Sequence, residues 1–201
     1  RGLGDVYKRQ GHIEADVTIT RLADDEFLVV TPAATIRRDL HWITSHIPDD
    51  AHAHAIDMTI SESALVVMGP HSRQFLQPLI PQSLANDDFA FGTMQPIEIG
   101  HAIGRAHRVT YVGELGWELY IPVDMSAHVF ETLMARRKDH DLALCGLHAL
   151  DSCRIEKAFR HFGHDISNED HVLEAGLGFA VKEDKLAGRF GVMIGADAVR
   201  A

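Results

Sequence analysis

The sequence predicts an α+β fold made of interrupted antiparallel sheets with flanking helices. Three observations carry this: short alternating apolar runs come in pairs, polar turn residues separate the members of a pair, and a segment of helical period follows. A doubly wound nucleotide fold would need more strand-to-helix crossovers than these segments supply, and the periodicity is not that of a solenoid.

The first pair lies in "EADVTITRLADDEFLVVTPAA". Val17, Ile19 and Leu22 precede Asp24 and Asp25, and Phe27, Val29 and Val30 follow them, the pattern of a β-hairpin. Ile36, Leu40, Ile43 and Ile47 then recur at helical spacing, with Arg37, Arg38 and Asp39 assigned to the wetter side. A second unit begins with strands expected at 56–60 and 64–68 around a turn at 61–63. Gly69 and Pro70 break it ahead of a short helix bearing Phe75, Leu76 and Leu79. Residues 84–91 read as a connection, and strands resume at 94–99 and 106–111.

After a further hairpin, Asp124 or Ser126 is expected to cap a helix with Val129, Phe130, Leu133 and Met134 on one face. Arg136, Arg137 and Lys138 suit the negative end of that helix and read as a solvated terminus. A strand at 142–144 and a helix over 147–159 follow. Gly176, Gly178, Gly188, Gly191 and Gly195 form neither a phosphate loop nor a dinucleotide GxGxxG; they read as strand bends and close backbone contacts. The leading "RGLGDVYKRQ", residues 1–10, differs in composition and reads as a non-native or flexible leader. Residues 11–180 read as the domain and 181–201 as a tail.

With 201 residues and 46% apolar side chains the chain can supply a core. Its 29 acidic against 19 basic residues give a net charge of -10, which argues against nucleic acid as the main partner. No apolar run is long enough to cross a bilayer as a helix, so no membrane partner is expected. The default compartment is the cytoplasm, or the mitochondrial matrix in a eukaryote. Cys145 and Cys153 supply no zinc ligand set and are read as core-filling. The histidines are scattered, and no metal is expected.

Three polar signals remain. In "YVGELGWELYIP", Gly113 and Gly116 can turn the backbone between Tyr111 and Glu118, bringing an aromatic ring and a carboxylate to one rim. An inward Glu118 would demand a donor-rich partner, such as a heterocycle with adjacent ring N–H and amino groups; the alternative is that Glu114 and Glu118 both face solvent. In "DSCRIEKAFRHFGHD", Asp151 is placed to orient Arg154, with Ile155 and Phe159 on an apolar face; the alternative is simple pairing on a helix surface. Finally, Glu14, Asp16 and Thr18 share a face by period two. Two acids there could stabilise a developing iminium, or they could be the solvent side of an edge strand.

Taken together, "GHIEADVTITRL", "YVGELGWELYIP", "ALDSCRIEKAFRHFGHD" and "LEAGLGFAVK" resemble the glycine-cleavage aminomethyltransferase family. Within it they are more similar to the folate-binding portion of dimethylglycine and sarcosine dehydrogenase-like FAD-dependent oxidoreductases. The resemblance spans roughly residues 11–200 and implies an aminomethyltransferase-like folate-binding fold, present here as a fragment, with 181–201 a tail or the truncated start of the family's C-terminal barrel. It implies that Asp16 stands beside the reactive folate nitrogens, that Tyr111 and Glu118 grip the pterin, and that Arg154 faces folate or its carboxylated tail. His12 replaces the second glycine of the family's "GGI" turn.

The implied chemistry is tetrahydrofolate-dependent capture of a one-carbon unit from an iminium or aminomethyl donor, giving 5,10-methylenetetrahydrofolate. The donor would be a small methylated amine oxidised by a fused flavin domain. FAD is expected only in that separate upstream domain. In the stand-alone glycine-cleavage version, a lipoyl carrier protein would deliver the aminomethyl group. A non-catalytic folate-binding module is the third reading.

Overall fold

The computed structural model describes residues 2–7, 10–189 and 193–200; Gly191 of the glycine-rich tail is outside them. The chain divides into two compact units, Arg1–Ala55 with Arg160–Ala201, and Ile56–Phe159.

In the first unit, β1 (Gly2–Tyr7), β2 (Ile13–Arg21) and β3 (Phe27–Val30) form an antiparallel sheet in that order, with Thr18 opposite Val30. The β2–β3 hairpin is the one that the alternation predicts. Strand β1 lies within the segment whose composition suggested a leader. The helix predicted after the hairpin is α1 (Ile36–Ser45), but its wet side differs from expectation. Of the three residues assigned to that side, only Arg37 is exposed. Asp39 is buried, accepting hydrogen bonds from the Thr31 and Thr35 hydroxyls, and Arg38 is half-buried against Glu14.

Ile13, Phe162, Ile166, Val172 and Val199 form this unit's core. Among the described residues, the tail is made of turns and the short helices α5 (Glu183–Leu186) and α6 (Ala196–Arg200). The described tail glycines therefore serve turns rather than strand bends, with Gly176, Gly188 and Gly195 all at positive φ.

The second unit is a four-stranded antiparallel sheet in the order β4-β7-β6-β5: β4 (Glu62–Met68), β5 (Met94–Ile99), β6 (Ala102–His107) and β7 (Gly116–Pro122). The strand expected at 56–60 is absent. Asp57 Oδ1 instead accepts the Thr59 N–H, a side-chain turn that competes with extension, and β4 pairs with β7. Ile60 is consequently 88% exposed. Strand β6 starts earlier than expected because the chain reverses at once at Gly100, φ +60, setting Ile99 opposite Ala102.

One face of this sheet carries Val67, Ile97, Ile99, Trp117, Leu119 and Ile121. It joins Phe75 and Leu76 of α2 (Ser72–Leu76) and Val129 and Leu133 of α3 (Ser126–Ala135) in one core. Trp117 is fully buried under the guanidinium groups of Arg73 and Arg108, which both donate to Asn86 Oδ1, at 2.6 and 2.8 Å. Phe130, assigned to the apolar stripe of α3, is exposed instead, because Val129 and Leu133 already take the sheet-facing side one turn apart. Neither Asp124 nor Ser126 caps α3; the Ser126 hydroxyl is engaged with Ser63 Oγ at 2.5 Å.

Two further expectations fail near α4 (Leu147–Glu156). Residues 142–144 form no strand; only Leu142 reaches the core, and Leu144 is exposed. With that segment undocked, α4 keeps Leu147 and Ile155 in solvent, and Cys145 and Cys153 are exposed rather than core-filling. The helix ends by Lys157 because Ala158 is left-handed, φ 57, so Phe159 lies outside it.

Candidate functional site

Tyr111 sits half-buried in the loop joining β6 to β7. The loop is pinned at both ends: the Arg108 carbonyl accepts the Gly92 N–H at 2.6 Å, and the Leu115 carbonyl accepts the Gly69 N–H at 2.8 Å and the Ser72 hydroxyl at 2.9 Å. Of the two glycines expected to turn it, Gly113 does so with φ +73. Gly116 acts otherwise. It opens β7 where the neighbouring strand comes so close that a Cβ would meet Met68 Cγ at 2.6 Å and the Val67 carbonyl at 2.8 Å.

Alternation along β7 separates two roles. Trp117, Leu119 and Ile121 point into the core, and Glu118 and Tyr120 stand on the opposite face. Glu118 lies opposite Val66 of β4 and His107 of β6, and is half-buried rather than solvent-facing. Its Oε2 accepts the Tyr120 hydroxyl at 2.5 Å, and its Oε1 accepts no hydrogen bond among the described residues. Tyr120 in turn lies opposite Arg105, whose Nη2 is 2.5 Å from Glu62 Oε1. Glu114 does face solvent, 3.3 Å from Lys157 Nζ.

Arg154 is the buried residue of an otherwise wet helix, 1% exposed, so the surface-pairing alternative does not hold. Asp151 orients it as the spacing suggested: Nε lies 3.0 Å from Asp151 Oδ1, and Nη1 donates to the Phe159 carbonyl at 3.0 Å. The apolar face assigned to Ile155 and Phe159 is not a packed one, since Ile155 is 60% exposed. Lys157, one turn beyond Arg154, ties this helix end to the loop of Tyr111 through Glu114. The second unit thus assembles Tyr111, Glu118 and Arg154 on connected elements.

Asp16 belongs to the first unit. Strand β2 is central in its sheet, which removes the edge-strand alternative for the face of Glu14, Asp16 and Thr18. Glu14, 6% exposed, is paired with Arg38 Nη2 at 2.6 Å, and the same guanidinium donates to the Glu14 carbonyl. Of the two acids expected on that face, Glu14 is therefore engaged within the protein. Asp16 is half-buried, accepts no hydrogen bond and joins no ion pair among the described residues. Burial pushes its carboxyl above the usual carboxylate range, and the nearby His161 offsets part of that. A carboxyl displaced toward neutrality in this way is suited to holding or passing a proton.

Sequence reasoning did not single out Tyr120, Arg38 or the Glu62–Arg105 pair. Tyr120 was within reach, because period two puts it on the face of Glu118.

Residues 3–185 match the family described as the GCVT N-terminal domain. The 4-methylaminobutanoate oxidase (formaldehyde-forming) of Paenarthrobacter nicotinovorans is 40% identical over 179 residues, covering 89% of this chain and 22% of the oxidase. The mitochondrial dimethylglycine dehydrogenase of Mus musculus is 34% identical, with 89% of this chain and 21% of the dehydrogenase covered. The chain thus spans about a fifth of the length of these relatives. Among solved structures, the glycine cleavage system aminomethyltransferase T from Bartonella henselae superimposes with a TM-score of 0.77 at 23% identity, over 98% of this chain and 50% of that one. The α+β arrangement of antiparallel sheets and flanking helices is the aminomethyltransferase-like fold.

Proposed function

The chain belongs to the GCVT N-terminal domain family, whose work lies in one-carbon and amine metabolism, and from that premise we propose that it binds tetrahydrofolate and receives a one-carbon unit derived from an N-methyl amine. The observation that carries this reading is Glu118: a half-buried carboxylate with one oxygen held by Tyr120 and the other open to donors. That donor demand fits the ring N–H and amino group of a pterin. Tetrahydrofolate held there would supply the nucleophilic nitrogen that takes up the one-carbon unit as the amine departs.

The protein's part is placement and proton handling. Glu118 fixes the heterocycle and Tyr111 lines its loop. Asp16, in the first unit, keeps the role that the family resemblance implies, holding or moving a proton at its own carboxyl, which burial raises above the usual range. Arg154, anchored by Asp151, presents positive charge from within α4 toward the ligand's carboxylated end. The amine is oxidised elsewhere, in a fused flavin domain that this reading places upstream. The reading places it in the mitochondrial matrix in a eukaryote, in keeping with the word mitochondrial in the name of the mouse dehydrogenase, or otherwise in the cytoplasm.

Anaerobic calorimetric titration with tetrahydrofolate tests the reading. Saturable binding that Glu118→Gln weakens and Asp16→Asn leaves largely intact is the expected result, with Asp16→Asn instead removing turnover in the complete oxidoreductase. A folded parent chain that takes up no tetrahydrofolate would overturn it.

A further inference from the structure

We propose that Tyr120 is the positioning residue for Glu118: its hydroxyl pins one carboxylate oxygen so that the other is aimed at the donor edge of the bound heterocycle. This inference rests on the folate reading above and deepens it.

A glutamate side chain has three rotatable bonds, and ordering it on binding costs conformational entropy. On β7 that ordering is done beforehand. Tyr120 stands two residues from Glu118 on the same face, and its hydroxyl donates to Oε2 at 2.5 Å. The ring is itself held, only 7% exposed and opposite Arg105 and Ala64 in the flanking strands. Burial, and next the charge of Glu118, keep the phenol protonated well beyond its ordinary range, with Glu62 adding to the effect and Arg105 opposing it. The hydroxyl therefore remains a donor under working conditions.

Pinning has a second effect, on selectivity. An ionised carboxylate accepts and never donates. With Oε2 committed to Tyr120, the orientation that remains offers Oε1 and the second lone pair of Oε2 along one edge. A ligand edge bearing two adjacent donors satisfies both. An edge lacking one of them leaves an acceptor unmet in a half-buried place, a loss larger than that of a solvent-exposed hydrogen bond. Tyr120 need not touch the ligand for this; it acts through Glu118.

The test is a double-substitution cycle in the full chain, read by anaerobic titration with tetrahydrofolate and with its 2-deamino analogue. Tyr120→Phe keeps the ring and removes only the hydroxyl. It should weaken tetrahydrofolate binding about 10-fold, the usual loss of a hydrogen bond to a charged group. The same change made on top of Glu118→Gln should weaken it no further. The preference for tetrahydrofolate over the analogue should shrink in Tyr120→Phe, which general loosening of the sheet would not produce. Equal binding by Tyr120→Phe and parent, or losses that simply add in the double variant, would overturn the positioning role and leave the folate reading standing. If Glu118→Gln itself binds as the parent does, the folate contact assigned to Glu118 fails, and this proposal with it.

Discussion

Lys157 lies across Gly113: a Cβ built on that glycine would meet Lys157 Cγ at 2.4 Å, and the lysine's ammonium ends 3.3 Å from Glu114 Oε1. The helix of Arg154 and the loop of Tyr111 are joined at this crossing. Gly113→Ala should therefore destabilise the protein by about 2 kcal/mol, combining a left-handed backbone with displacement of the lysine stem. Urea denaturation measures it, and adding Lys157→Ala should recover only the part due to the clash.

Asp16 gives a pH dependence of definite sign. Its folded-state carboxyl is raised above the ordinary 3.8, so the folded protein holds that proton more tightly than the unfolded chain. The contribution of Asp16 to stability therefore falls as pH rises from 3.8 through the folded value, and stays unfavourable above it. Asp16→Asn should melt above the parent at pH 7, and the difference should close as pH is lowered below 3.8. A melting difference that widened toward acid would show Asp16 to be stabilised as an anion instead.

Arg38 compensates a buried acid from a neighbouring element. Arg38→Ala removes both the ion pair to Glu14 and the donor to its carbonyl. A cost of about 2 kcal/mol is expected, below that of a fully buried pair because Arg38 is partly exposed. Chemical denaturation of Arg38→Ala beside the milder Arg38→Lys checks it.

The two thiols supply a prediction that needs no substitution. Cys145 and Cys153 are both exposed, so both should react with a thiol-specific disulfide reagent in the native protein, without a lag for unfolding. Reaction of only the denatured chain would place α4 against a cover.

What the sequence made legible was what is local. The β2–β3 hairpin and α1 follow from period two and from the spacing of Ile36, Leu40, Ile43 and Ile47. The strand wrongly expected at 56–60 alternates as a strand should, but a local side-chain bond at Asp57 and a distant partner for β4 decided against it. At the site, alternation around Glu118 was informative, since Trp117 and Leu119 fix which way it does not point. The burial of Arg154 and the engagement of Glu14 by Arg38 were not legible, because each depends on chain segments brought together only by folding. The same limit hid the exposure of the cysteines: apolar neighbours in sequence do not supply an apolar surface to dock on.

Strand β7 alternates core-facing and site-facing side chains without a spare position, and it is paired on both edges. Its length is therefore fixed in a way that its letters are not. One residue inserted between Trp117 and Tyr120 would turn an indole outward and carry a carboxylate or a phenol into the interior, and a deletion would do the same. Homologues that keep this fold can exchange residues there, but an alignment of them should be free of gaps from Gly116 to Pro122, while the loop before it can change length.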